Sequence, residues 1–126
     1  MVEPADESAG AWVAACIEGR VSVRIPELAY AEVSSALVKY VRAGELTADD
    51  GDEALDFVLS LPLAVDPVRR ISRAAYAIAV SRRLSAYDAY YVALADGHSA
   101  ILVTADSRLA DQAQRSALLP GTGPPS

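Results

Sequence analysis

The chain has 126 residues, of which 52% are apolar and 22% charged. That length suits one domain around one core, and the composition excludes a disordered chain. A net charge of −6 speaks against RNA held through phosphate contacts alone, but it suits carboxylates gathered around a hard cation.

Residues Asp6 to Glu18 read as a first helix, with Trp12, Val13, Cys16 and Ile17 apolar and Gly19 as its stop. Val21 to Ile25 is a short strand candidate. Pro26 suits a helix start. From Glu27 to Ala43, Tyr30, Val33, Leu37, Tyr40 and Val41 recur at helical spacing, and Gly44 follows as a stop. Thr47 with Asp50 makes a capping-box pattern for a helix to about Ser60. Leu61 to Val65 is a second strand candidate, and Asp66 before Pro67 reads as the cap of a helix to about Arg83. Ser85 opens a further helix ending near Gly97. Ala100 to Thr104 is apolar enough for a fully buried strand, and Asp106 opens the last helix. The Pro- and Gly-rich run from Leu119 to Ser126 reads as a disordered tail, leaving residues 1–118 as the domain. Strands separated by helices imply an α/β architecture, its mostly parallel sheet covered on both faces. Ligands of such sheets bind beyond the C-terminal ends of the strands.

The lone Cys16 cannot form an internal disulfide, which points to a reducing cytoplasm. It reads as a packing residue. The lone His98 excludes a site built from several histidines and, with one Cys, argues against structural zinc. The acidic start from Met1 to Glu7 lacks the pattern of a signal peptide, and no apolar run is long enough to span a bilayer.

Three carboxylates stand out. Asp88 is the one charged residue between Arg83 and Asp96, in a helix apolar on nearly every face, so it should be buried. A carboxylate there needs a hydrogen bond, a proton or a metal. Ser85 as N-cap with Asp88 three residues on is an equally good structural account, and the two roles are compatible. Asp106 follows Ile101-Leu102-Val103-Thr104-Ala105, at the C-terminal end of a strand; it also suits an N-cap. Glu32 borders the apolar stripe of its helix, with no basic residue three or four positions away to pair with it. Taken alone it reads as a solvated helix-edge residue. Asp49, Asp50, Asp52 and Glu53 fill a helix start, where acids are favoured. Arg69, Arg70 and Arg73 share a helix face that reads as solvated.

Three segments together resemble the PIN domain: Pro26-Glu27-Leu28-Ala29-Tyr30-Ala31-Glu32-Val33, Leu84-Ser85-Ala86-Tyr87-Asp88-Ala89-Tyr90-Tyr91-Val92-Ala93-Leu94-Ala95, and Leu102-Val103-Thr104-Ala105-Asp106-Ser107-Arg108-Leu109. Order and spacing agree, and the resemblance covers nearly the whole chain. It implies a three-layer α/β/α fold of the VapC toxin type. It also implies hydrolysis of RNA phosphodiester bonds, with Glu32, Asp88 and Asp106 as active-site acids around Mg²⁺, for which Mn²⁺ can substitute. A cognate antitoxin and a homodimer are implied too, and the helix carrying Trp12 is a candidate contact.

One departure matters. PIN domains of this type begin with an apolar strand ending in Asp, central in the sheet. Met1-Val2-Glu3-Pro4 is similar to the stretch after that strand, and Asp6 does not match its Asp. Without the strand one metal carboxylate is lost and two strand edges are exposed. The start of the protein then lies upstream, or the chain is a truncated, catalytically inactive relative that keeps antitoxin or RNA binding. A flavodoxin-like response module also gathers acids at strand ends. It needs a late Lys after a strand, whereas the only lysine here, Lys39, falls within a helix.

Overall fold

The first helix, α1 (Glu7–Ile17), ends where Gly19 takes the left-handed conformation, φ +76°. The computed structural model describes residues 7–119 and 121–125. The expected helix start at Asp6, and Pro120 and Ser126 of the tail, lie outside them. The first strand, β1 (Arg24–Pro26), begins three residues later than Val21. The reason is local: Arg20 and Val21 still donate their N–H groups back to Ala15 at the end of α1. Pro26 closes β1 and does not open a helix, because strand pairing runs on through Glu27, whose N–H donates to Asp66 O at 2.8 Å.

Helix α2 (Leu28–Arg42) carries its apolar stripe half-buried and stops at Gly44, φ +77°. Helix α3 (Ala48–Ser60) is capped as expected, with Thr47 Oγ1 accepting from Asp50 N at 3.1 Å. Gly51 faces α2 so closely that a Cβ there would stand 3.3 Å from Val41 Cγ2. Strand β2 (Ala64–Asp66) and helix α4 (Val68–Arg82) follow. Asp66 was expected as a helix cap. It is instead the last residue of β2, and Pro67 occupies the N-cap position with no side-chain cap bond.

Helix α5 (Ala86–Gly97) opens at Ser85, whose Oγ accepts from Asp88 N at 3.1 Å. It packs on α4 through small side chains: Ala75, Ala89 and Ala93 are buried between Ile71 and Leu94. Alanine at these positions lets the two backbones approach. A second cluster joins Val92 and Ala95 of α5 to Leu102 and Leu109. Strand β3 (Leu102–Thr104) is shorter than expected, since Ala100 donates back to Ala95 O, and it is not buried throughout: the preceding Ile101 is 38% exposed. The last helix, α6 (Ser107–Ala110), is a single turn, and an unexpected strand, β4 (Ser116–Leu118), follows it. Beyond β4, Gly121 N donates to Ser8 Oγ and Trp12 Nε1 to Thr122 O, at 3.2 and 2.9 Å. No helix among the described residues is long and apolar enough to cross a membrane.

Helices and parallel strands alternate as an α/β/α architecture requires. Among the described residues, however, the strands form two separate ladders. β1 pairs with β2, and β3 with β4, both in parallel. Between the two ladders the open edges of β1 and β3 line a cavity of about 570 Å³.

Candidate active site

Asp88 sits in the first turn of α5, where Ser85 holds its backbone N–H and the helix dipole favours a negative charge. Its side chain is half-buried, less enclosed than the apolar helix suggested, and among the described residues no hydrogen bond or ion pair claims its carboxylate. One turn on, Tyr91 projects on the same side as Asp88. Its hydroxyl donates to Glu32 Oε1, 59 residues away on the otherwise exposed edge of α2. Burial first, then the bond to Glu32 and the charges of Glu32 and Asp88, push the Tyr91 phenol well above the ordinary tyrosine range. Asp88 thus lies near enough for its charge to be felt at the same hydroxyl. The two carboxylates come from separate helices: Glu32 is bonded to the phenol, and Asp88 lies one turn before it on α5.

Asp106 comes from a third element. It is the N-cap of α6, with Oδ1 accepting from Arg108 N at 2.9 Å and Leu109 N at 3.3 Å. Its own N–H donates to Thr104 Oγ1. Among the described residues no three His, Cys, Asp or Glu side chains stand close enough to surround one ion. Glu32 follows β1 and Asp106 follows β3, and the open cavity lies between those strands. As a donor set, Glu32 and Asp88 suit a hard cation such as Mg²⁺, which binds through one or two carboxylates and keeps several waters.

A second charged group lies at the end of β2. Asp66 is buried, accepts from Arg24 through Oδ1 and lies 3.2 Å from His98 Nε2 through Oδ2. The Arg24 guanidinium, opposed by burial and helped by His98, holds the Asp66 carboxyl below the usual carboxylate range. It links β1, β2 and the end of α5. Both this cluster and Tyr91 escaped the sequence reading. For Tyr91 the signal was present, three residues from Asp88 on the same face; for Asp66 nothing local pointed to Arg24 or His98.

With this geometry in view, the similarities to known proteins become specific. A family model, the PIN domain, matches residues 2–114. Ribonuclease VapC9 of Mycobacterium tuberculosis is 38% identical over 92 residues, 73% of this chain and 71% of that protein. Ribonuclease VapC3 of Pyrobaculum aerophilum is 33% identical over 88 residues, 68% of this chain and 67% of its own. A Pyrobaculum aerophilum protein of known crystal structure superposes with a TM-score of 0.71 at 26% identity, covering 91% of this chain and 84% of that one. The chain belongs to the PIN domain family, and within it to the VapC type.

Proposed function

We propose that this protein is a Mg²⁺-dependent endoribonuclease of the toxin–antitoxin kind, with Glu32, Asp88 and Asp106 as its site acids. The observation that carries the proposal is the Tyr91–Glu32 hydrogen bond between two helices, one turn from Asp88, in a chain whose relatives include VapC ribonucleases. Bound there, a divalent ion supplies Lewis acidity toward a phosphate oxygen and an activated water. Asp88 offers an unclaimed carboxylate, Glu32 is oriented by the Tyr91 hydroxyl, and Asp106 retains Oδ2 while Oδ1 caps α6. Mn²⁺ takes the same oxygen ligands. A cognate antitoxin, a homodimeric state and a cytoplasmic setting belong to the same proposal.

A second reading keeps the fold and antitoxin or RNA binding without catalysis. It is favoured by the lack of a three-acid cluster among the described residues. An RNA cleavage assay in Mg²⁺ and in EDTA separates the two. The nuclease reading expects cleavage that EDTA abolishes and that Asp88→Asn lowers by about 1,000-fold, with the circular dichroism spectrum unchanged. Cleavage at the wild-type rate by Asp88→Asn removes Asp88 from the site, and no cleavage by the wild type under any divalent ion leaves the binding reading.

A further inference from the structure

Helix α4 carries charge that its own stability does not call for. Five of the chain's 11 basic residues fall within residues 68–83, and none of its 17 acids lies from Pro67 to Tyr87. Arg69, Arg70 and Arg73 occupy the first two turns of α4. Cations are disfavoured at that end of a helix dipole, and Arg69 and Arg73, four residues apart, repel each other. Ile71 and Ala75 are buried against α5, so the opposite face of α4 looks outward. That face presents Arg69, Arg70, Arg73, Tyr76 and Val80, all exposed, with Arg83 at its end. Tyr76 is 70% exposed. Among the described residues no ion pair engages any of these four arginines. Arg82 lies off this face and donates to Gln112 O.

We propose that this stripe is a docking surface for single-stranded RNA, and that it leads the strand toward Asp88. Charge complementarity favours this occupant. In a chain of net charge −6, an acid-free row of arginines is where a polyanion is attracted, and guanidinium groups suit phosphate oxygens. The aromatic ring favours a single strand. Tyr76 stands one turn from Arg73 and one turn from Val80, where its face can stack on an unpaired base; a duplex keeps its base faces covered. From Arg69 to Arg83 the stripe runs about 21 Å at 1.5 Å per residue, room for a short run of nucleotides. Direction comes from the fold. Three residues, Arg83 to Ser85, join α4 to α5, and the two helices pack side by side, with Ser72 Oγ 2.6 Å from Tyr90 OH. The Arg83 end of the stripe therefore adjoins the first turn of α5, which carries Asp88. The proposal rests on the RNA reading of the site for its direction, and its binding step needs no catalysis.

The test uses the full chain and a fluorescent oligouridine of about 12 nucleotides, with binding read by anisotropy in EDTA at about 50 mM salt. Arg69→Gln with Arg73→Gln weakens binding by about tenfold or more and lowers the slope of log Kd against log salt by about 1.4. Arg20→Gln with Lys39→Gln removes the same charge from exposed positions off the stripe and changes Kd by less than about threefold. Tyr76→Ala weakens binding by about tenfold, and Tyr76→Phe, which keeps the ring, does not. Should the double arginine variant fail to fold, the two Tyr76 variants decide. Equal losses in the two charge variants overturn the proposal, as does a wild type that binds nothing at about 100 µM protein, or a duplex of equal length that binds more tightly. Unchanged affinity in Tyr76→Ala overturns it too, and if that variant also turns a dimer into monomers the face belongs to a second copy. EDTA keeps cleavage out of the measurement, so a chain that binds here and never cleaves retains this surface and ends the nuclease reading instead.

Discussion

Tyr91 is a donor at any pH near neutrality, because burial and two nearby carboxylates keep its proton on. The hydroxyl therefore orients Glu32. Removing it as Tyr91→Phe should cost RNA cleavage about tenfold, in line with one hydrogen bond to a charged group. The loss should fall on kcat more than on KM, and steady-state kinetics on a short RNA checks this. Asp66 works differently. Its carboxyl is held below the ordinary aspartate value of about 3.9, so as pH falls the unfolded chain takes up the proton first. The stabilisation from Asp66 is thus present above about pH 4 and is lost as pH drops through its folded value. Asp66→Asn should lower the melting temperature at pH 7, and its gap from wild type should close as pH is taken from about 4 toward 2. A gap that stays constant over that range would contradict the Arg24–Asp66–His98 account.

At the scale of the element, helix ends carry most of the local information. Thr47, Ser85 and Asp106 each accept from a backbone N–H within the following turn. Gly19 and Gly44 relax into the left-handed conformation after α1 and α2. After α4 the same task falls to Arg83, at φ 55° and ψ 41°, where a Cβ is crowded. Its side chain is exposed. Arg83→Gly should therefore stabilise the protein by about 1 kcal/mol, seen as a higher urea midpoint with the same m-value. A fall in midpoint would mean that the guanidinium contributes more than the backbone strain costs. The α4–α5 pair needs no such device, since buried alanines at Ala75, Ala89 and Ala93 make it close and regular.

On the scale of the whole molecule, the acidic balance and the divided sheet act together. In a chain of net charge −6, the charges of Glu32 and Asp88 both bear on the Tyr91 hydroxyl, and under the proposed function a bound cation would relieve their repulsion. Mg²⁺ at about 100 times its Kd should add about 2.7 kcal/mol, visible as a rise in melting temperature that Asp88→Asn abolishes. An equal rise in that variant would place the ion elsewhere. Glu32 follows β1 and Asp106 follows β3, strands of different ladders. The loop before β4 is tied to α5 by Gln114 N donating to Asp96 Oδ1 at 2.9 Å, which holds β4 against β3 without reference to β1.

What the residue order determined by itself is whatever closes within a turn. The Thr47 and Ser85 caps, the glycine stops and the half-buried stripe of α2 all depend on partners three or four residues away, and each was readable from spacing. The α/β alternation and the PIN resemblance were readable too, because they rest on element order and on short motifs. Tertiary structure alone decided the rest. Arg24 and His98 reach Asp66 from 42 and 32 residues away, and Tyr91 reaches Glu32 from 59. β4 exists only because β3 presents an edge for it to pair with. Such contacts depend on how packed helices carry distant segments together, and no local preference encodes them.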